Sequence, residues 1–384
     1  MKKLVSTVLA GVMAASLVGC SSSKNNAGSS AKGSSDSSSD MKVAMITDYG
    51  DITDMSFNQT TYEASKAWAE ENGAEFEYKK PATDADADRE ASIEEAIDDD
   101  GYNVIVMPGY AFAQAIVDEA PKYPDVKFIA LDVAQADLDD ASGKKDWSSD
   151  NVFSAVYQEE LAGYMAGYAA VKLGYTKLGF LGGMAVPAVI RYGFGYVQGA
   201  DEAAKELGNA SDVTVNYVYG GQFRGDADIT ARMDTWYTDG TQVVFACGGG
   251  IYTSAAEASG DNGKLIGVDV DQKKIIDKNY GEGKTVTSAM KGLAATVNTL
   301  LDAIKDDKWD DYKGKVETLG LVDGDDPSKN YVQLGTTQWS DGFTEDDYKA
   351  LVKKMFDGDI KVSDATDKMP ATDIKINDEG SIKG

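Results

Sequence analysis

The chain has 384 residues, 64 of them acidic and 37 basic, for a formal charge of −27, and it contains no histidine. Without histidine the commonest general base, the commonest metal ligand and every Ser-His or Cys-His nucleophile are unavailable. The acid excess, with no basic run long enough to track phosphates, excludes nucleic acid as the expected partner.

Residues 1–19 read as a secretory signal: Lys2 and Lys3 form the charged start, and the apolar stretch from Leu4 to Val18 is too short for an ordinary spanning helix. Leu17-Val18-Gly19-Cys20 resembles the bacterial lipobox, which implies cleavage before Cys20 and lipidation of its sulfur. Cys247 is then left without an intramolecular partner, so packing and not a disulfide framework must hold the fold. Residues 20–40, almost only Ser, Gly, Lys, Asn, Ala and Asp, bury too little apolar surface to fold and predict a flexible tether. The expected location is the extracytoplasmic face of a cell membrane, held there by the lipid.

Beyond the tether, short apolar runs alternate with longer amphipathic segments. VAMIT, VIVMPG, VKFIALD, KLGFLGG, VNYVYGG, VVFACGGG, LIGVDVD and TVTSAMKG predict buried parallel strands, most ending in Gly, Asp or Ser. Between them, helical patterns cover 56–72, 87–98, 111–120, 159–173, 189–207 and 293–304, with Gly73, Gly101, Gly174 and Gly208 at their stops. This is an α/β chain, and the rhythm occurs twice, over 42–134 and 158–271, predicting two doubly wound parallel-sheet lobes with an inter-lobe cleft. The expected first lobe is 41–155 plus about 272–310, with Lys291 and the helix after it returning there. The second is 156–271 plus about 311–365, and 366–384 is a polar tail.

Ligands of such sheets bind at the carboxyl ends of the strands. The first strand presents Asp48, Asp51, Asp54, Phe57 and Asn58; later ones present Asp132, then Gly248, Gly249 and Gly250, then Asp269, Asp271 and Gln272, and finally Lys291. Carboxylates can each hold two adjacent hydroxyls, Asn58 both donates and accepts like the edge of a heterocycle, and glycines let the backbone approach closely. The set suits a neutral, hydroxyl-rich ligand with a flat ring, and Lys291 would offset Asp269 in a closed cleft. Asp51 reads as a turn former and Ser56 as the cap of its helix, while Phe57 fits either ring stacking or the helix core. No GxGxxG follows the first strand and no Lys-Ser follows the glycine triplet, which disfavours dinucleotides and nucleotide polyphosphates. Asp84, Asp86 and Asp88 imitate a calcium loop, but Arg89 stands where its glycine belongs, so neither metal nor cofactor is expected.

TDYGDITDMSFNQ, YQEELAGYMAGYAA, KLGFLGGMAVPAVIRYGFGYVQGA, VFACGGG, IGVDVDQ and VTSAMKG, in this order between Lys42 and Ile304, together resemble the basic membrane protein family of substrate-binding lipoproteins, which is similar to the purine-nucleoside receptors of ABC transporters. The resemblance implies a type I periplasmic-binding-protein fold, no enzymatic activity, and a monomer that captures nucleosides and delivers them to a membrane permease. By motif it implies that Asp54, Asn58 and Asp132 address the base, that Phe57 or Phe223 stacks on it, and that the Gly248 region, Asp269 and Lys291 hold the ribose. Two motifs depart from the family: Gly221-Gln222-Phe223-Arg224-Gly225-Asp226 replaces a Gly-Ser-Phe-x-Asp element, and Arg191-Tyr192 replaces Arg-Phe. A sugar or signalling-ligand receptor on the same fold is an alternative reading, as is an exported hydrolase using a carboxylate pair such as Asp48 and Asp54.

Overall fold

The computed structural model describes residues 40–48 and 50–383; the expected signal, the lipidation site Cys20 and the tether through residue 39 lie outside them. The chain opens with β1 (Lys42–Ile46), α1 (Phe57–Asn72), β2 (Glu75–Lys79), α2 (Asp86–Glu94), β3 (Val104–Pro108), α3 (Ala113–Glu119), β4 (Lys127–Leu131), α4 (Gln135–Ser142) and β5 (Val152–Tyr157). A second run follows: α5 (Glu159–Lys172), β6 (Lys177–Gly182), α6 (Pro187–Leu207), β7 (Thr214–Tyr219), α7 (Ala227–Thr238), β8 (Val243–Cys247), α8 (Tyr252–Ala258), β9 (Lys264–Asp269), α9 (Lys273–Tyr280) and β10 (Thr285–Lys291). The chain closes with α10 (Leu293–Lys305), β11 (Lys315–Leu319), β12 (Val332–Leu334), α11 (Glu345–Phe356) and β13 (Lys375–Ser381).

Two sheets result. The first is all parallel in the order β11-β5-β4-β3-β1-β2, and the second, β12-β10-β9-β8-β6-β7-β13, is parallel except where β12 runs against β10. Parallel strands covered on both faces must be apolar at every position, as VIVMP in β3 and VVFAC in β8 are. In the first lobe Val43 and Met45 join the core that holds Trp68 of α1, whereas Ala44 and Ile46 join one with Ile93, Phe112 and Ile116. In the second, Phe180 and Phe245 share a core with Tyr192 and Tyr196 of α6, while Leu181, Val244 and Ala246 share another with Met233 and Trp236 of α7. No described helix is long and apolar enough to cross a membrane.

Helices α5 and α6 lie so close that glycine is required where they touch. A Cβ on Gly167 would sit 2.0 Å from the carbonyl oxygen of Tyr196, and one on Gly199 2.0 Å from that of Tyr164. Since backbone cannot yield as a side-chain tip can, Gly167→Ala is expected to lower the unfolding free energy by about 2 kcal/mol, read as a shifted denaturant midpoint. An unchanged midpoint would show that the helices separate at no cost.

Three segments depart from the lobe boundaries read in the sequence. Strand β10, assigned there to the first lobe, pairs with β9 in the second sheet. Only the helix behind it, α10, packs on the first lobe, against α1, where Trp68 Nε1 donates to Asp302 at 2.8 Å. Strand β11, assigned to the second lobe, is the edge of the first sheet beside β5, and the polar tail contains β13, an edge strand paired with β7. A strand's own residues encode how deeply it is buried, not which neighbour it pairs with, so periodicity located the crossing after β5 but not those after β10 and β11.

Candidate ligand-binding cleft

The carboxyl ends of the two sheets face a shared cavity of about 420 Å³, within the range of ~300–1,000 Å³ usual for small-molecule sites. Of the candidate residues read from sequence, Asp48, Asp54, Phe57, Asn58 and Asp132 line it from the first lobe and Phe223, Gly248, Gly249, Asp269 and Lys291 from the second, whereas Asp271 and Gln272 do not.

Local backbone chemistry puts them there. Asp132 (φ 63°) and Asp269 (φ 65°) both adopt the left-handed conformation that ends an extended run and that aspartate tolerates better than most side chains. Gly248 (φ 151°) packs so tightly that an added Cβ would lie 3.0 Å from the Phe223 ring and 3.1 Å from Gly183. At Gly109 a Cβ would fall 1.8 Å from Asp48 Oδ2, so the missing side chain leaves the berth that the Asp48 carboxylate occupies.

The opening of α1 corrects one assignment. Ser56, read as the helix cap, makes no capping bond. The cap is Asp54: its Oδ1 accepts the N–H groups of Ser56 (2.9 Å) and Gln59 (3.1 Å), and its Oδ2 accepts those of Asn58 (3.0 Å) and the Asn58 side chain (3.1 Å). Burial pushes the Asp54 carboxyl up, and these four bonds pull it back. Asp51 has the turn chemistry read for it, taking the Asp54 N–H on its carbonyl and Thr53 Oγ1 on its carboxylate, with Lys80 at 3.4 Å.

Lys291 is the hub of the cleft. Its ammonium lies 2.5 Å from Asp132 Oδ2, 3.4 Å from Glu159 Oε1 and 3.8 Å from Asp269 Oδ1, so the expected pair with Asp269 is present but Asp132 is the nearer partner. Because β10 belongs to the second sheet and Asp132 follows β4 of the first, this ion pair joins the lobes. The rings of Phe57, Tyr157 and Tyr192 surround the same ammonium at 4.6, 5.4 and 5.9 Å, within cation–π reach. Arg191 Nε adds a second cation, 2.7 Å from Glu159 Oε2. Burial pulls the Lys291 ammonium down, but the three carboxylates outweigh it and hold the group well above its ordinary range. Burial pushes the Asp132 and Asp269 carboxyls up, Lys291 opposes both shifts, and the neighbouring Glu159 carboxylate adds to them.

Several polar atoms of cavity residues have no partner within the protein: Asn58 Oδ1, Asp132 Oδ1 and the Tyr192 hydroxyl. All three are shielded from solvent, where an unanswered polar atom costs about 1–3 kcal/mol. Phe57 and Phe223, both partly buried, bring one ring from each lobe. Sequence reasoning missed Glu159 and Tyr157, and treated Arg191 only as half of a motif. The signal for Glu159 was present: two acids open a helix directly after a strand, at a site where backbone N–H groups favour negative charge. Among the described residues no cluster of Cys, Asp and Glu is arranged to hold a metal ion.

Two lobes with mostly parallel sheets, a cavity between their strand ends and an ion pair bridging it define a fold of the periplasmic-binding-protein type. Solved structures with this fold include an ABC transporter solute-binding protein from Aeropyrum pernix, with a TM-score of 0.65 and 20% identity over 84% of this chain and 87% of that one. Another, from Conexibacter woesei, has a TM-score of 0.60 and 20% identity over 84% and 99%. Residues 41–353 match the Bmp family, described as "ABC transporter substrate-binding protein PnrA-like", and the chain belongs to that family. It is 29% identical to the ABC transporter nucleoside-binding protein BmpA of Lactococcus lactis, over 84% of this chain and 90% of that protein. It is also 29% identical to Basic membrane protein A1 of Borrelia garinii, over 67% and 70%. The protein is therefore a substrate-binding component of an ABC transporter and not an enzyme, and its partners are a ligand and a permease.

Proposed function

We propose that this protein captures nucleosides, purine nucleosides foremost, in the inter-lobe cavity and delivers them to its permease. The observation that carries the reading is the make-up of the wall: a ring from each lobe, a row of carboxylates and Asn58, and two cations, buried Lys291 and partly buried Arg191, already committed to acids. A flat base fits between rings, its N–H groups answer Asn58 and Asp132, and ribose hydroxyls can donate to Asp269. The 29% identity to a nucleoside-binding protein of Lactococcus lactis supports the same ligand class. A phosphate gains little here, since Lys291 and Arg191 are surrounded by carboxylates that would repel it. We place the protein on the outer face of the cell membrane as a monomer tethered through lipidated Cys20, on the strength of Leu17-Val18-Gly19-Cys20 and of a relative in Pyrococcus abyssi named as a lipoprotein, 27% identical over 73% of this chain and 67% of that protein.

Calorimetric titration with inosine, guanosine, adenosine, uridine, cytidine, ribose and the matching monophosphates tests this. Nucleosides are expected to bind and monophosphates to bind at least about a hundredfold more weakly. Phe57→Ala is expected to weaken the best nucleoside by about tenfold through the lost ring face. Heat from ribose alone, or from no nucleoside at all, would sink the reading.

A further inference from the structure

The first lobe also grips the second through a contact separate from the Lys291 pair. Ser56, between β1 and α1, is fully buried, and its Oγ donates to Asp269 Oδ2 at 2.6 Å and lies 3.4 Å from the carbonyl oxygen of Val268, both on β9 of the second sheet. One residue earlier Met55 holds φ at 54°, the left-handed region that an unbranched side chain seldom enters. Its N–H is fixed by Gln59 Oε1 at 3.0 Å, and its carbonyl accepts from Gln272 Nε2 of the second lobe at 3.1 Å. Gln272 is itself anchored, 1% exposed, with its Oε1 accepting the Val268 N–H at 3.0 Å. Both bonds run from protein to protein across the cleft, and the strained Met55 turn presents the carbonyl that receives one of them.

We infer that Ser56 is a positioning residue: with the Met55 carbonyl and Gln272 it forms a direct latch between the lobes that sets how long the closed cleft persists. A hydroxyl donating to a buried carboxylate is among the stronger neutral-to-charged hydrogen bonds, and it must break before the lobes part. Encounter with ligand happens in the open form, where the latch is not engaged, so its effect falls on escape and not on capture. The same bond holds one oxygen of Asp269 while the other stays within 3.8 Å of Lys291, which fixes how the carboxylate meets a ligand.

The rate part of this inference rests on the nucleoside reading; the closure part does not. Wild type, Ser56→Ala and Ser56→Thr are compared by stopped-flow association and dissociation of inosine and by small-angle scattering without ligand. Ser56→Ala is expected to release inosine about tenfold faster, with association changed by less than about twofold, and to show a larger radius of gyration without ligand. Ser56→Thr, which keeps the hydroxyl, is expected to restore most of both. Slower association with unchanged release, or an alanine variant that scatters like wild type, overturns the latch. If wild type binds no nucleoside, the nucleoside reading fails and the scattering comparison decides the latch by itself.

Discussion

Replacing Lys291 with methionine is expected to weaken nucleoside binding by on the order of a thousandfold and to lower the unfolding free energy by about 3 kcal/mol. The lysine is 5% exposed and is the only cation within salt-bridge distance of Asp132 and of Asp269 among the described residues. A methionine of similar volume fills the space among the Phe57, Tyr157 and Tyr192 rings but leaves three acids facing Arg191 alone. The lobes also lose the pair that joins them. The deficit should depend on pH with a definite sign. Burial already raises the Asp132 carboxyl, and without the ammonium it rises further, so acidification neutralises it and the gap between variant and wild type narrows as pH falls toward 5. Calorimetric titration and urea unfolding at several pH values read both effects. Wild-type affinity in Lys291→Met would mean that the ion pair is incidental to closure.

Glu160→Gln is expected to stabilise the protein increasingly as pH rises. Glu160 opens α5, is 4% exposed, and sits where α6 crosses, with its carbonyl oxygen 2.1 Å from where a Cβ on Gly195 would stand. Burial pushes its carboxyl up to about 8, with Glu159 adding to the rise and Arg191 opposing it. The folded protein thus keeps a proton that the unfolded chain releases near pH 4.5, so this group's contribution falls as pH rises through the interval from 4.5 to 8 and levels off above it. That amounts to roughly 3 kcal/mol between pH 5 and pH 8. Glutamine keeps the shape and removes the titration, so the difference in unfolding free energy between variant and wild type should grow by about that amount over the interval. Parallel stability curves would place the proton elsewhere.

The strand ends of the cleft were legible because buried parallel strands are uniformly apolar and stop abruptly at polar residues. Asp132, Asp269 and Lys291 each interrupt or close such a run, and Asp48 and Gly248 follow one. The cap of α1 was misread because Asp54 and Ser56 stand two residues apart and both suit the role; only the hydrogen bonds separate them. Glu159 and Arg191 were hidden for a different reason. They lie 32 positions apart on two helices, where a charged residue ordinarily marks the solvated face, and they meet only because glycines let α5 and α6 close together. Lobe membership of β10 and β11 was illegible because pairing is decided by which sheet edge stands open, a property no window of residues contains.

The edge strand β13 bears on how such a chain is made. Its residues KINDEGS carry too much charge to be a buried strand, yet Lys375 pairs with Thr214 and Ile376 with Val215, covering the flank of β7. During synthesis the flank of β7 thus stays open until β13, more than a hundred residues later, has been made, and strand pairing over so long a sequence separation is slow. An uncovered strand in a partly finished chain is a template for neighbouring copies. The charged strand β13 closes that template, and charge on an edge strand is a recognised brake on edge-to-edge pairing with a neighbouring molecule.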